Sequence, residues 1–216
     1  MQTETEEIQL TIKRGLLDNR QRQLIINSDF IKFEDKDLLS ALYTRFERDS
    51  IKDFRFGIKW IRGFEFTIGR EYQIFIRNQD NRVLKINFKS LYGHRRKEYH
   101  KLYAQIIDSL WNFYFLTITD NLIDKFNKGE KFSIANVLFS ENNLTIIVSR
   151  AFKEEKKEIS WNKVGKRDYQ TYFAIFSLDD PNNINRGYSY LDDWNTAVLK
   201  ILVLKILNSK NTSTSE

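Results

Sequence analysis

Both histidines of the chain, His94 and His100, fall within "SLYGHRRKEYHK", residues 90–101, together with its densest run of positive charge. Two chemistries could follow: metal ligation by imidazole, or anion binding by Arg95, Arg96 and Lys97. Ligation is poorly served. On one helix, six positions turn through about 600° at ~100° per residue, so the two imidazoles point to different sides. With His94 in a preceding loop the pair could approach, yet only Glu98 stands nearby. The chain has no cysteine to complete the three or four ligands that zinc takes. No metal and no cofactor is expected. The cations are more informative, because three of them in a first helical turn oppose the macrodipole. A bound anion would compensate, since helix N-termini and arginine both favour phosphate. The alternative is a helix that begins after Lys97, leaving the run as a solvated loop.

A second basic feature comes from alternation. If Phe54, Phe56 and Ile58 face inward on a strand, Arg55 and Lys59 face outward, as do Lys85, Asn87 and Lys89, with Phe75 and Arg77 on the outward phase of their own strand. Cations around an exposed aromatic resemble a stacking platform for single-stranded nucleic acid. The plain reading is the charged outer face that keeps a sheet from pairing with its neighbours. Catalytic signatures are missing. Gly57, Gly63 and Gly69 recur every six residues but form neither a dinucleotide fingerprint nor a P-loop, and "DDPNNINRG" has Asn185 and Leu191 where a calcium loop needs Gly and Glu. The chain is not expected to be an enzyme.

The elements that must position these residues are read from periodicity. From Ile8 to Phe88 the period is mostly two. Leu24–Ile26 and Phe30–Phe33 flank an Asn-Ser-Asp turn, and a meander runs through Phe54–Ile61, Phe64–Ile68, Tyr72–Ile76 and Leu84–Phe88, with "NQDNR" as its last turn. Tyr99 to Phe126 then follows helical spacing, with a kink expected near Thr117–Thr119 and Gly129 as its stop. Strands return around a turn at Glu141–Asn143 and in "YQTYFAIFSLDDPNNINRGYSY". A last helix covers Asp193–Asn208. Both halves read strands, then helix: Ile74-Phe75 matches Ile175-Phe176, and Trp111 and Trp194 each fall in a closing helix. Two copies of one unit are expected, over 8–128 and 129–208, with 1–7 and 209–216 as flexible tails. The competing reading is one larger sheet domain with two helices.

Composition sets the class. With 41% hydrophobic residues and 14% aromatics in 216 residues, the chain has the material for a core. The start "MQTETEEIQL" lacks the basic and apolar regions of a secretory signal. The most apolar run, Ala197–Leu207, is broken by Lys200 and Lys205 and is shorter than the roughly 20 residues a bilayer needs. No transmembrane segment and a cytoplasmic location are expected. The net charge is +6, and residues 45–101 alone hold 15 basic against 7 acidic side chains.

The strands around "TIKRGLLDNRQRQLIINSDFIKFED", the meander and the helix carrying Trp111 resemble a pleckstrin-homology (PH) domain, and the half closing near Trp194 resembles a shorter copy. The chain also resembles uncharacterised bacterial proteins of similar length. The resemblance implies an α+β, β-rich fold of two tandem PH-like barrel or sheet units, each closed by a C-terminal helix. It further implies a basic headgroup motif across the first hairpin, matched here by Lys13, Arg20 and Arg22. PH-like folds serve lipid, peptide and protein recognition alike. The expected function is therefore a non-catalytic intracellular binding or adaptor module for a protein or peptide. The alternative is an anionic ligand, either an acidic phospholipid headgroup through Lys13, Arg20 and Arg22 or nucleic acid through Arg55, Lys59, Arg77, Lys85 and Arg95 to Lys97. A final helix apolar around most of its circumference adds the expectation of packing on the other half or on a second copy, as a homodimer.

Overall fold

The computed structural model describes residues 6–16, 18–35, 43–150 and 153–212, without the side chains of residues 150, 211 and 212. The fold is β-rich α+β, and among the described residues fourteen strands form four antiparallel sheets. Two compact units cover residues 1–116 and 117–216, so the division falls inside the helical stretch, ahead of the boundary expected after residue 128.

In the first unit β1 (Glu7–Ile12), β2 (Arg22–Asn27), β3 (Phe30–Phe33) and β4 (Thr44–Glu47) form a meander in chain order. Asn27 makes the expected turn after β2: its Oδ1 accepts from the backbone N–H groups of Asp29 and Phe30, both at 2.9 Å. Such local bonding is what suits Asn to turns. A 3-10 turn, Arg48–Ser50, leads to a second sheet of β5 (Ile51–Arg62), β6 (Thr67–Asn78) and β7 (Val83–Leu91). Alternation places Tyr72, Ile74 and Ile76 of β6 and Leu84, Ile86 and Phe88 of β7 in the core. Helix α1 (Arg96–Leu110) buries Tyr99, Ile106 and Leu110. Tyr99 meets Phe88 edge-on at 5.3 Å, Phe115 meets Phe54 at 4.9 Å, and the Tyr114 hydroxyl donates to the Asn27 carbonyl at 2.9 Å.

Three expectations are corrected in these elements. The sheets are open and separate; they do not close into a barrel. β1 ends at Ile12, and beyond it the Lys89 N–H donates to the Arg14 carbonyl at 2.8 Å, a single crossing bond among the described residues where a closed barrel needs a ladder. The residues read as a strand from Phe64 form a hairpin tip, and β6 starts only at Thr67. The helical irregularity is a π turn at Trp111–Phe115, ahead of Thr117, before α2 (Leu116–Asn127). Within that turn the adjacent Tyr114 and Phe115 are both buried.

The second unit repeats the order of elements. A four-stranded meander of β8 (Phe132–Ile134), β9 (Val137–Phe139), β10 (Asn143–Arg150) and β11 (Lys153–Ser160) is followed by a 3-10 turn at Trp161–Lys163. Then come β12 (Val164–Asp168), β13 (Tyr172–Ser177) and β14 (Asn185–Ser189), and α3 (Thr196–Thr212). Ile74-Phe75 and Ile175-Phe176 both lie on the middle strand of a three-stranded sheet, with the isoleucine buried in each case. Helix α3 buries Val198, Leu199, Leu202, Val203, Ile206 and Leu207, while Ile201 and Leu204 are half-buried. Trp194 precedes this helix instead of opening it. Asp193 Oδ2 accepts from the Ser189 N–H at 2.7 Å, the Thr196 hydroxyl donates to the Ser189 carbonyl at 3.0 Å, and Asn195 is left-handed at φ 63°, so residues 189–195 form a braced turn. Part of the expected C-terminal tail is helical, since α3 continues past Asn208 to Thr212. Residues 1–5 and 213–216 of the expected tails lie outside the described residues, and Glu7 already belongs to β1.

Candidate functional site

Burial fades along β5. Phe54 is buried, Phe56 and Ile58 are half-buried, and Trp60 is 43% exposed. A register shift at Ile61/Arg62 ends the regular pairing with β6, and the Gly63 N–H donates to the Phe66 carbonyl at 2.8 Å to form the tip. Phe64 is wholly exposed there and Phe66 is 67% exposed. At the start of β6, a Cβ on Gly69 would stand 2.4 Å from the Ser90 carbonyl oxygen, so only glycine lets β7 approach this closely.

The turn from β7 into α1 meets the same end of the unit. The Tyr92 N–H donates to the Ile68 carbonyl at 2.8 Å, and the Ser90 hydroxyl donates to the His94 carbonyl at 2.8 Å. Tyr92, Gly93 and Arg95 are left-handed at φ 51°, 76° and 53°, which reverses the chain and leaves Tyr92 79% exposed. Between hairpin and turn lies a cavity of about 300 Å³, lined among others by Trp60, Phe66, Arg70, Tyr92 and Arg96. The Arg70 guanidinium lies 4.1 Å above the Trp60 ring, a cation–π contact that fixes its plane. Three aromatic walls and two guanidinium groups suit an apolar group with a negative charge beside it.

The sequence-derived candidates divide into those near this cavity and those elsewhere. Helix α1 begins at Arg96, with Arg95 as its N-cap, so the basic run enters the first turn instead of preceding it. Arg96 lines the cavity, Lys97 is exposed, and Arg95 stands 4.0 Å from Glu98. Burial raises the Tyr99 hydroxyl pKa, against a hydrogen bond from Arg95 that lowers it. His94 sits in the turn and His100 on α1, its ring 6.4 Å from that of Tyr72.

On the β5–β7 sheet the register aligns Arg55, Phe75 and Lys85 in one row and Lys59, Glu71 and Lys89 in another. Arg55 stacks over Phe75 at 4.7 Å. Carboxylates interrupt this basic face: Glu71 lies 3.3 Å from Lys89, and Asp53 accepts from Arg77 Nε at 2.7 Å and Nη2 at 2.5 Å. In the first hairpin Arg22 is 2% exposed and bonded to Asp18 at 2.9 Å, which directs it inward, whereas Arg20 is exposed and Lys13 half-buried. The exposed aromatics Trp60, Phe64, Phe66 and Tyr92, and Arg70 beside them, were not among the sequence candidates. The signal that could have found them is Gly63, a glycine inside the alternation, directly after Arg62, which stands where the pattern calls for an apolar residue.

No known family model matches the chain, and no curated protein sequence matches it. Among the described residues no helix is long and apolar enough to cross a membrane.

Proposed function

We propose that the protein is a non-catalytic binding module that recognises a protein partner through a peptide segment, at the aromatic end of its first unit. One observation carries this reading: Trp60, Phe66 and Tyr92 are exposed around a single cavity together with Arg70 and Arg96. Single exposed apolar side chains are ordinary, but a contiguous patch rimmed by polar groups marks interaction sites. Trp, Tyr and Arg are also the residue types that supply most binding energy at protein interfaces. The repeated order of four strands, three strands and a helix supports two diverged PH-like copies, the first of which holds the recognition surface. An intracellular adaptor role in the cytoplasm belongs to the same reading.

The second reading is polyanion binding by the basic half. Lys59, Lys85 and Lys89 on one sheet face favour it, while Asp53 and Glu71 on that face oppose it. Selection from a displayed random-peptide library, run against the full chain at moderate salt, separates the two. Enrichment of a peptide family that loses its binding in the Trp60→Ala, Phe66→Ala double variant is expected. No enrichment, with oligonucleotide or anionic-vesicle binding that fades steeply as salt rises, would replace the first reading by the second.

A further inference from the structure

We infer that the recognised segment is acidic and carries one bulky apolar anchor: the anchor enters the cavity, and a neighbouring carboxylate engages Arg70 and Arg96. This inference rests on the peptide reading above and names the chemistry of its partner.

The cavity, about 300 Å³, lies at the lower limit of ligand pockets, which run roughly 300–1,000 Å³. That size suits one large side chain more than an extended ligand. Its aromatic walls supply apolar area with little side-chain freedom to lose. Among the described residues its charged lining is of one sign, Arg70 and Arg96, with no carboxylate. Arg70 is stacked on Trp60, so its planar donor fork is already oriented before a partner arrives. A carboxylate matches that fork with two parallel hydrogen bonds. Arg62, at the end of β5, and Lys97, in the first turn of α1, extend the positive charge to both sides in the chain.

Two other anionic partners fit less well. A nucleic-acid strand needs a continuous track of cations, and on the adjoining sheet face Glu71 and Asp53 break it. An anionic bilayer would take up the tip, but exposed Glu65 stands between Phe64 and Phe66 and would enter the headgroup layer with them. A peptide can meet the two arginines and leave Glu65 in water.

The test uses the full chain and three synthetic peptide pools of equal length, each with one central aromatic residue. The flanks are drawn from Asp and Glu, from Ser, Asn and Gln, or from Lys and Arg. The acidic pool is expected to bind about ten-fold more tightly than the neutral one, in keeping with charge-assisted hydrogen bonds, and the basic pool not at all. Arg96→Glu should remove that preference, and Phe66→Ala, which leaves the Arg70 stack on Trp60 in place, should weaken all binding pools alike. Arg96→Gln, which keeps hydrogen-bonding capacity without charge, should fall between. Equal binding of acidic and neutral pools, or an acidic preference unchanged in Arg96→Glu, would overturn the inference and leave peptide recognition standing. Failure of every pool, with binding to phosphatidylserine vesicles or an oligonucleotide, would overturn both.

Discussion

Three buried tyrosines show how one hydroxyl can act in opposite ways. Tyr114 donates to the Asn27 carbonyl at 2.9 Å, tying the end of the first unit's helix to the β2–β3 turn. The hydroxyls of Tyr72 and Tyr188 are buried with no protein hydrogen-bond partner among the described residues. Burial also pushes the Tyr114 and Tyr188 hydroxyls far above the ordinary phenol range, so both stay protonated across any working pH. Removing a bonded buried hydroxyl costs about 1 kcal/mol, whereas removing an unpaired one is neutral or stabilising. Urea unfolding should therefore find Tyr114→Phe less stable than the parent, and Tyr72→Phe and Tyr188→Phe no less stable. A loss for the latter pair as large as for Tyr114→Phe would mean that their hydroxyls are paired in solution.

At the scale of elements, two junctions have consequences that can be measured. Helix α1 starts with Arg96 and Lys97 where its macrodipole favours acids. Arg96→Glu should raise the unfolding free energy by about 0.3–1 kcal/mol while removing the preference for the acidic pool; a less stable Arg96→Glu would point to a structural role instead. In the second unit the β12 end is joined to α3: Asp168 accepts from Tyr190 at 2.6 Å and from Lys200. Burial raises the Asp168 pKa, but the hydrogen bonds from Lys200 and Tyr190 outweigh it and hold the carboxyl below its usual value. A carboxyl depressed on folding stabilises above its unfolded pKa of about 3.9 and loses that contribution as the pH falls through the lower folded value. The urea midpoint of the parent should exceed that of Asp168→Asn at neutral pH, and the gap should close in acid. A gap independent of pH would remove the ion pair from the explanation.

Legibility in the sequence divides along the same elements. β6, β7 and β13 were readable because their pleat alternates cleanly. β11, "KEEKKEIS", was not, since this edge strand carries Glu155 and Lys157 on its half-buried face, where pattern would need apolar residues, and only Ile159 is buried. The β5–β6 tip escaped because the apolar residues on both sides of it, Phe54 to Trp60 and Phe64 to Ile68, keep to even positions, with only Arg62 between them in that phase. Parity survives the turn, so periodicity alone reads one long meander where exposed Phe64 and Phe66 mark a surface. Arg22 was misleading for a related reason: the spacing of a headgroup motif is visible in sequence, but the inward salt bridge to Asp18 is not.

For the whole molecule, the reason for expecting a homodimer weakens, because none of the apolar residues of α3 with a described side chain is exposed. Sedimentation should give a single 25.9 kDa species; a dimer that forms with rising concentration would reopen the role of a second copy. The central claim places recognition on one end of one unit, and the four tryptophans of the chain sample both units: Trp60 and Trp111 in the first, Trp161 and Trp194 in the second. Fluorine NMR of the 5-fluorotryptophan protein, titrated with a peptide from the acidic pool, reads all four sites at once. With assignments from single Trp→Phe variants, the Trp60 resonance should move with saturation while those of Trp161 and Trp194 stay in place. Saturable shifts at Trp161 or Trp194 with Trp60 unmoved would contradict the assignment of recognition to this end of the first unit.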